Sequence, residues 1–199
     1  MSGERKQQIL EVLARELETK PGARLTTAKL AAAVGVSEAA LYRHFPSKAR
    51  MFEALIEFAE AAVFGLINQI LATHTDPAIR CAQMGTVLLQ FAERNPGIAR
   101  ILMGDILLGE HERLRQRVTH FFERFEMQVR QVLRDATLVS PPRLDPATVS
   151  AAANLVAAAL MGRIGQFVRS GFRILPTPQW EDQWSMLARA LFRSPSALT

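Results

Sequence analysis

A short stretch near the N-terminus carries side chains suited to phosphate groups and base edges. A tyrosine, an arginine, a histidine and a lysine follow one another between residues 42 and 48, behind hydroxyl residues. Arg43 can pair bidentately with guanine or reach a phosphate, and Tyr42 offers a phosphate-bonding hydroxyl. The pattern therefore predicts a DNA-binding surface. Its candidate residues are Thr26, Thr27, Ser37, Glu38, Ala39, Ala40, Tyr42, Arg43, His44 and Lys48.

Several of these residues also have simpler explanations. Thr26, Thr27 and Ser37 are ordinary helix caps, His44 fits a packed surface histidine, and Ala40 fits a core position. At helix ends, however, hydroxyls, N–H groups and cations also meet phosphate. The set as a whole, at this spacing, favours DNA.

Two short helices around Gly35 must present these side chains. Such a pair, joined by a tight turn, is the helix-turn-helix motif, whose second helix enters the major groove. At about 100° per residue, Leu41 and Phe45 face inward, while Tyr42 and Arg43 lie on the opposite face.

The remaining chain also has helical periodicity, with almost no strand signal. We expect an all-α fold of about nine helices, with a DNA-binding head at 1–47 and a dimerisation and partner-binding body at 48–199. The expected helices span about 4–18, 27–34, 38–45, 48–71, 77–94, 98–103, 110–138 and 146–169, with a last helix ending near 192. Asn95-Pro96 is expected to cap the helix near 98–103, and breaks are expected at Pro21-Gly22 and at Ser140-Pro141-Pro142. The long helix from Lys48 has a predicted core stripe of Phe52, Leu55, Ile56, Ala59, Val63, Leu66, Ile67 and Ile70. The helix over about 110–138 has one of Leu114, Val118, Phe121, Phe122, Phe125, Val129, Val132 and Leu133.

Charge is concentrated at the N-terminal end. The 199 residues carry a net charge of +5; residues 1–50 contribute +4 and contain every lysine. A basic segment on a near-neutral body suggests a polyanionic partner. The single cysteine, Cys81, excludes a disulfide framework within one chain. Without a signal-like N-terminus or about 18 uninterrupted apolar residues, a cytoplasmic protein is expected.

Catalysis has little support in the sequence. The histidines are scattered, and the phosphate-loop, zinc-protease and serine-hydrolase motifs are missing. We therefore expect no enzyme activity and predict no catalytic residue, metal site or cofactor.

The head resembles the TetR family of bacterial regulators. The resemblance is carried by Val34-Gly35-Val36-Ser37 and by Leu41-Tyr42-Arg43-His44-Phe45, followed by Ser47-Lys48. It implies an all-helical homodimer with three N-terminal DNA-binding helices and a C-terminal ligand-binding or dimerisation body.

Segments of the body resemble the nucleoid occlusion branch of that family. They include Glu93-Arg94-Asn95-Pro96-Gly97, Arg130-Gln131-Val132-Leu133-Arg134 and Phe167-Val168-Arg169-Ser170. The likeness implies a nucleoid-associated protein that binds palindromic chromosomal sites and there inhibits assembly of FtsZ, the tubulin-like division protein. Leu66, Val87, Gln90 and residues 103–110 depart from the pattern.

Two body surfaces are predicted from the residues. Phe58 lies off the core stripe, and beside Arg94 it could form a groove for a peptide with an acidic residue; packing against a neighbouring helix is the alternative. By resemblance this groove, between the fourth and fifth helices, would take the FtsZ tail, at Phe58, Gln90, Arg94 and Asn95. Small residues in the helix from Pro146 predict a two-fold dimer seam; packing within one subunit is again the alternative. The seam residues are Ala158, Gly162, Trp184 and Leu187.

The main alternative is a repressor that a small molecule releases from its operator. It requires an apolar pocket in the body, for which Met84, Phe91, Phe121 and Phe125 are candidates. A nucleoid protein without sequence preference fits the compact head and modest charge less well.

Overall fold

The computed structural model describes residues 2–19, 25–106, 112–139 and 145–192. These residues contain nine α-helices and no β-strand, which confirms the predicted all-α fold. The helices are α1 (Ser2–Thr19), α2 (Thr27–Val34), α3 (Glu38–His44), α4 (Lys48–Thr73), α5 (Pro77–Arg94), α6 (Pro96–Leu102), α7 (Glu112–Val139), α8 (Pro146–Arg169) and α9 (Trp180–Phe192).

Local capping signals fix most of the helix starts. Side-chain oxygens of Thr26, Ser37, Ser47, Asp76 and Asp145 accept hydrogen bonds from first-turn N–H groups at 2.8–3.3 Å. Proline follows both aspartates, where its missing N–H costs nothing. These starts were predictable because each depends on neighbouring residues alone.

The helix start at Asn95 differs from the prediction. Its side chain does not cap α6. The amide nitrogen instead donates to the carbonyl oxygen of Phe91 at 2.8 Å, which closes the end of α5. Pro96 still occupies the first turn of α6. The two helices therefore meet at one residue, and α6 begins earlier than expected. The predicted breaks at residues 21–22 and 140–142 lie outside the described residues.

The core stripe of α4 is buried at six of its eight predicted positions; Ile70 is half-buried, and Leu66 differs from the prediction. That side chain is 48% exposed, and Phe64 is buried in the core instead. The Phe64 ring lies 5.2 Å from the Phe121 ring, and the Arg124 guanidinium carbon lies 3.9 Å from the Phe64 centroid. Aromatic packing between α4 and α7 therefore turns this part of α4 toward Phe64. All eight residues of the predicted α7 stripe are buried: Leu114, Val118, Phe121, Phe122, Phe125, Val129, Val132 and Leu133.

The long helices form the body. Helix α7 packs along α8, and α4 packs against α5. By length and composition alone, α4 and α8 are also long and apolar enough to cross a membrane. A core helix passes the same test, and both helices contribute residues to the hydrophobic core.

Helix α6 joins the head to the body. A Cβ added at Gly97 would lie only 2.1 Å from the carbonyl oxygen of Ala14 in α1. Arg100, which is almost fully buried, donates to the carbonyl oxygen of Leu17 at 2.7 Å and to Asp105 at 2.9 Å. Glycine thus allows close backbone contact between α1 and α6, and Arg100 binds the end of α1 to it.

Candidate DNA and partner interfaces

The turn between α2 and α3 has the geometry that a helix-turn-helix requires. Gly35 adopts a left-handed conformation, with φ 76° and ψ 37°. Its N–H donates to Ala32 at 3.1 Å, and the N–H of Val36 donates to Ala31 at 3.0 Å. This Schellman pair satisfies two of the last carbonyl groups of α2, those of Ala31 and Ala32, and redirects the chain. Glycine tolerates the required φ.

The two faces of α3 point as predicted. Leu41 and Phe45 are buried in the head core. Tyr42 is 42% exposed, and both Arg43 and Ala39 are exposed. The helix therefore presents a tyrosine and an arginine to solvent, where a DNA groove could receive them.

A hydroxyl network holds part of this surface in place. The Tyr42 hydroxyl donates to the Thr27 hydroxyl at 3.3 Å, and Thr27 donates to the Glu38 carboxylate at 2.7 Å. These bonds connect the start of α2 to the exposed side of α3. Sequence reasoning named all three residues but missed the network, because helix spacing along one segment says nothing about contacts between two helices.

The other head candidates combine structural and exposed features. Thr26 and Ser37 act as caps, and both remain exposed. Ala40 and His44 are half-buried. The Lys48 ammonium lies 5.2 Å from the centre of the Phe52 ring. Capping and DNA contact are compatible at Thr26 and Ser37, because each hydroxyl accepts the capping bond and keeps its own proton to donate.

The partner candidate Phe58 borders a cleft that the sequence did not predict. Its side chain is 47% exposed, and its ring lies 6.1 Å from that of Phe91. The cleft has a volume of about 260 Å³ and lies where α1 meets α4 and α6. Its lining residues are Gln7, Leu10, Glu11, Ala14, Leu55, Phe58, Asn95 and Ile98.

The four partner candidates divide into two pairs. Phe58 and Asn95 both line the cleft. Gln90 and Arg94 are one helical turn apart and exposed on α5, outside the cleft lining. No local signal could have revealed the α1 wall, since it depends on how α1 packs against α4 and α6.

Comparisons with known proteins cover both parts of the chain. Residues 9–55 match the model of bacterial regulatory proteins of the tetR family. Residues 75–192 match the SlmA-like family of tetracyclin repressor-like C-terminal domains. The nucleoid occlusion factors SlmA of Shewanella pealeana and Shewanella denitrificans are each 53% identical over 192 residues, which is 96% of this chain and 96% of each relative.

The chain belongs to the SlmA family of nucleoid occlusion factors.

Solved structures support the fold of this SlmA-family chain. A TetR transcription regulator from Haloarcula marismortui has a TM-score of 0.76 at 18% identity, over 94% of this chain and 98% of that one. The MbdR regulator from Azoarcus sp. CIB has a TM-score of 0.75 at 17% identity, over 92% and 96% of the two chains. At such low identity these likenesses establish the TetR-like fold alone.

Three of the four predicted seam residues of this family member are at least partly exposed, and the fourth is buried. Ala158 and Gly162 are exposed on α8, and Leu187 is half-buried on α9. Trp184 differs from the prediction. Its ring is buried within the subunit, with its centroid 5.9 Å from that of Trp180. The alternative of packing within one subunit therefore describes Trp184.

The residues considered for a ligand pocket belong to the core. Met84, Phe121 and Phe125 are at most 1% exposed, and Phe91 is 9% exposed.

Burial also raises the pKa of the Cys81 thiol to about 12. Because the thiolate is the reactive form of cysteine, Cys81 remains unreactive at neutral pH.

Proposed function

We propose that this nucleoid occlusion factor binds palindromic DNA as a homodimer and, from that position, blocks FtsZ assembly over the nucleoid. The observation that carries the DNA part is the outward face of α3. Tyr42 and Arg43 are exposed there, while Leu41 anchors the helix in the core. Such a helix can enter a major groove without unfolding the head.

The charge of the chain supports the same assignment. Residues 1–50 carry +4, whereas the other 149 residues carry only +1. Lysine and arginine side chains release counterions when they neutralise phosphates, so we expect binding to weaken steeply as salt rises. The proposed DNA contacts are the ten head candidates from Thr26 to Lys48.

The dimer part of the proposal depends on α8. Besides Ala158 and Gly162, this helix exposes Leu155 by 50% and Met161 by 38%. Small residues beside larger apolar ones favour close packing against a symmetry-related helix. A two-fold axis would then place two heads on the half-sites of a palindrome. In the proposed seam, Leu187 contributes from α9.

The partner part of the proposal assigns the FtsZ tail to the surface around Phe58. An exposed aromatic ring offers an apolar anchor, and aromatic and arginine side chains are common anchors in interfaces. Arg94 offers a charge for an acidic residue of the tail. Gln90 and Asn95 add amide groups that can bond to an extended peptide backbone. In this proposal residues 1–47 bind DNA together with Lys48, and residues 48–199 carry the dimer and partner surfaces.

The test uses purified dimer, purified FtsZ with GTP, and a duplex containing the palindromic site. FtsZ polymers are measured by sedimentation with the protein alone, with the duplex alone and with both. We expect a marked loss of polymer only when both are present. A scrambled duplex of equal length is the control. Undiminished polymer in all samples would overturn the proposal.

A further inference from the structure

The cleft beside Phe58 has a wall that belongs to the head. Leu10, Glu11 and Ala14 of α1 face Leu55 of α4 and Ile98 of α6 across it. Phe58 of α4 also lines the cleft, and its ring lies next to that of Phe91 on α5. The cleft is thus continuous with the proposed tail surface through the Phe58 ring.

The size of the cleft restricts its occupant. A volume of about 260 Å³ is below the usual range of sites that enclose a small-molecule ligand. It suits one or two side chains of a longer segment that continues elsewhere. Five of the eight lining residues, Leu10, Ala14, Leu55, Phe58 and Ile98, are apolar.

Opposite charges at the two ends of this surface favour one orientation of a bound segment. Arg94 is exposed at the α5 end, and Glu11 is exposed on the α1 wall. The amide of Gln7 donates to the Glu11 carboxylate at 3.0 Å, and both residues line the cleft. A segment that crosses Phe58 from one end to the other therefore meets a cation first and an anion last.

Resting on the proposed function, we infer that the FtsZ tail continues past Phe58 into the α1–α4–α6 cleft. One of its apolar side chains inserts between Leu10 and Ile98, and a basic residue on that side pairs with Glu11. The complementary tail has an acidic residue, then an apolar residue, then a basic one. Helix α1 thereby acts both as a support of the head and as part of the tail site.

The test measures the affinity of a synthetic FtsZ C-terminal tail peptide by fluorescence anisotropy. The dimer, bound to its palindromic duplex at saturating concentration, is compared with the Glu11→Arg and Leu10→Ala dimers under the same conditions. We expect the peptide to bind each variant at least fivefold more weakly. Glu18→Arg is the matched control, because it reverses an exposed charge on α1 away from the cleft; its affinity should stay within twofold. Circular dichroism and DNA affinity verify that the head stays folded.

A charge exchange makes the test specific for pairing. A peptide whose basic residues are replaced by glutamate should bind Glu11→Arg more tightly than it binds the unmodified dimer. If Arg94→Ala loses the peptide while Glu11→Arg and Leu10→Ala retain full affinity, the inference is overturned and the proposed function stands. If the unmodified dimer fails to bind the peptide with its duplex present, the proposed function and the inference are both overturned.

Discussion

The head and the partner cleft are built in opposite ways. The proposed DNA contacts all lie between Thr26 and Lys48, on two short helices, their caps and the first residue of α4. The cleft, in contrast, is assembled from α1, α4 and α6, and Gln7 at one side is far in sequence from Ile98 at the other. A surface made from one segment is set by local rules, whereas a cleft made from three depends on how the helices pack. The two surfaces should therefore respond to different substitutions.

The largest effect should follow from Gly97→Ala. The added methyl group would lie 2.1 Å from the carbonyl oxygen of Ala14, so α1 and α6 must separate. Overpacking against backbone at a tight seam costs up to about 3 kcal/mol. Denaturant unfolding at one fixed protein concentration measures the loss.

Gly65→Ala is the control for that substitution. Gly65 is also helical, but its added Cβ would meet nothing within 4 Å. We expect that variant to be up to about 1 kcal/mol more stable, since alanine favours the helix. Equal stability of Gly97→Ala and the unmodified protein would show that α6 does not approach α1 so closely.

The next largest effect, that of Arg43→Ala, should be on DNA binding and not on tail binding. Arg43→Ala should weaken binding to the palindromic site by about 2 kcal/mol, or roughly thirtyfold, because arginine pairs with base or phosphate acceptors. With the duplex at saturating concentration, affinity for the FtsZ tail should not change. Electrophoretic mobility shifts over a salt series measure both the affinity and the salt slope.

Arg15→Ala is the matched control for Arg43→Ala. It removes an exposed arginine of α1 that belongs to neither surface, and we expect less than a threefold loss of DNA affinity. Full DNA affinity in Arg43→Ala would mean that the groove-facing side of α3 has been misassigned.

The same contrast explains which features the sequence predicts. The inward Leu41, the outward Arg43 and the caps at Ser37 and Ser47 follow from helical spacing and from neighbouring residues. The exposed Leu66 does not, because the rotation of α4 is set by packing of Phe64 against α7.

Asn95 shows the same limit at a helix end. Its type and the following proline fit a cap, but the side chain has a competing acceptor in the carbonyl oxygen of Phe91. The α1 wall of the cleft was unpredictable for a related reason: only tertiary packing brings Glu11 and Phe58 to one site.

A smaller effect should follow from Arg94→Ala. Removing this exposed arginine should weaken binding of the FtsZ tail by about 1–2 kcal/mol, or about fivefold to thirtyfold in affinity, because one charge-assisted contact is lost. DNA affinity should be unchanged. Isothermal titration with the tail peptide measures the effect. Arg115→Ala is the control, since it removes an exposed arginine of α7 that pairs with Glu112 outside both surfaces. Equal tail affinities of the two variants would count against Arg94 as an anchor.

The smallest effect should come from Thr27→Val. The substitution keeps the shape of the side chain and the Thr26 cap, but it removes the bonds to Tyr42 and Glu38. A hydrogen bond of this kind contributes about 1 kcal/mol, so DNA affinity should fall about fivefold and tail affinity should not change. Thr19→Val, which removes a hydroxyl of α1 bonded to the Arg15 carbonyl, should leave both affinities unchanged.

A double-mutant cycle shows whether the loss of DNA affinity in Thr27→Val depends on the Tyr42 hydroxyl. If Thr27 acts by orienting the Tyr42 hydroxyl, then Thr27→Val should cost little once Tyr42→Phe has removed that hydroxyl. Fully additive losses would mean instead that the two hydroxyls contact DNA independently. The head would then gain its specificity from separate contacts, and the bond between α2 and α3 would serve only to stabilise the fold.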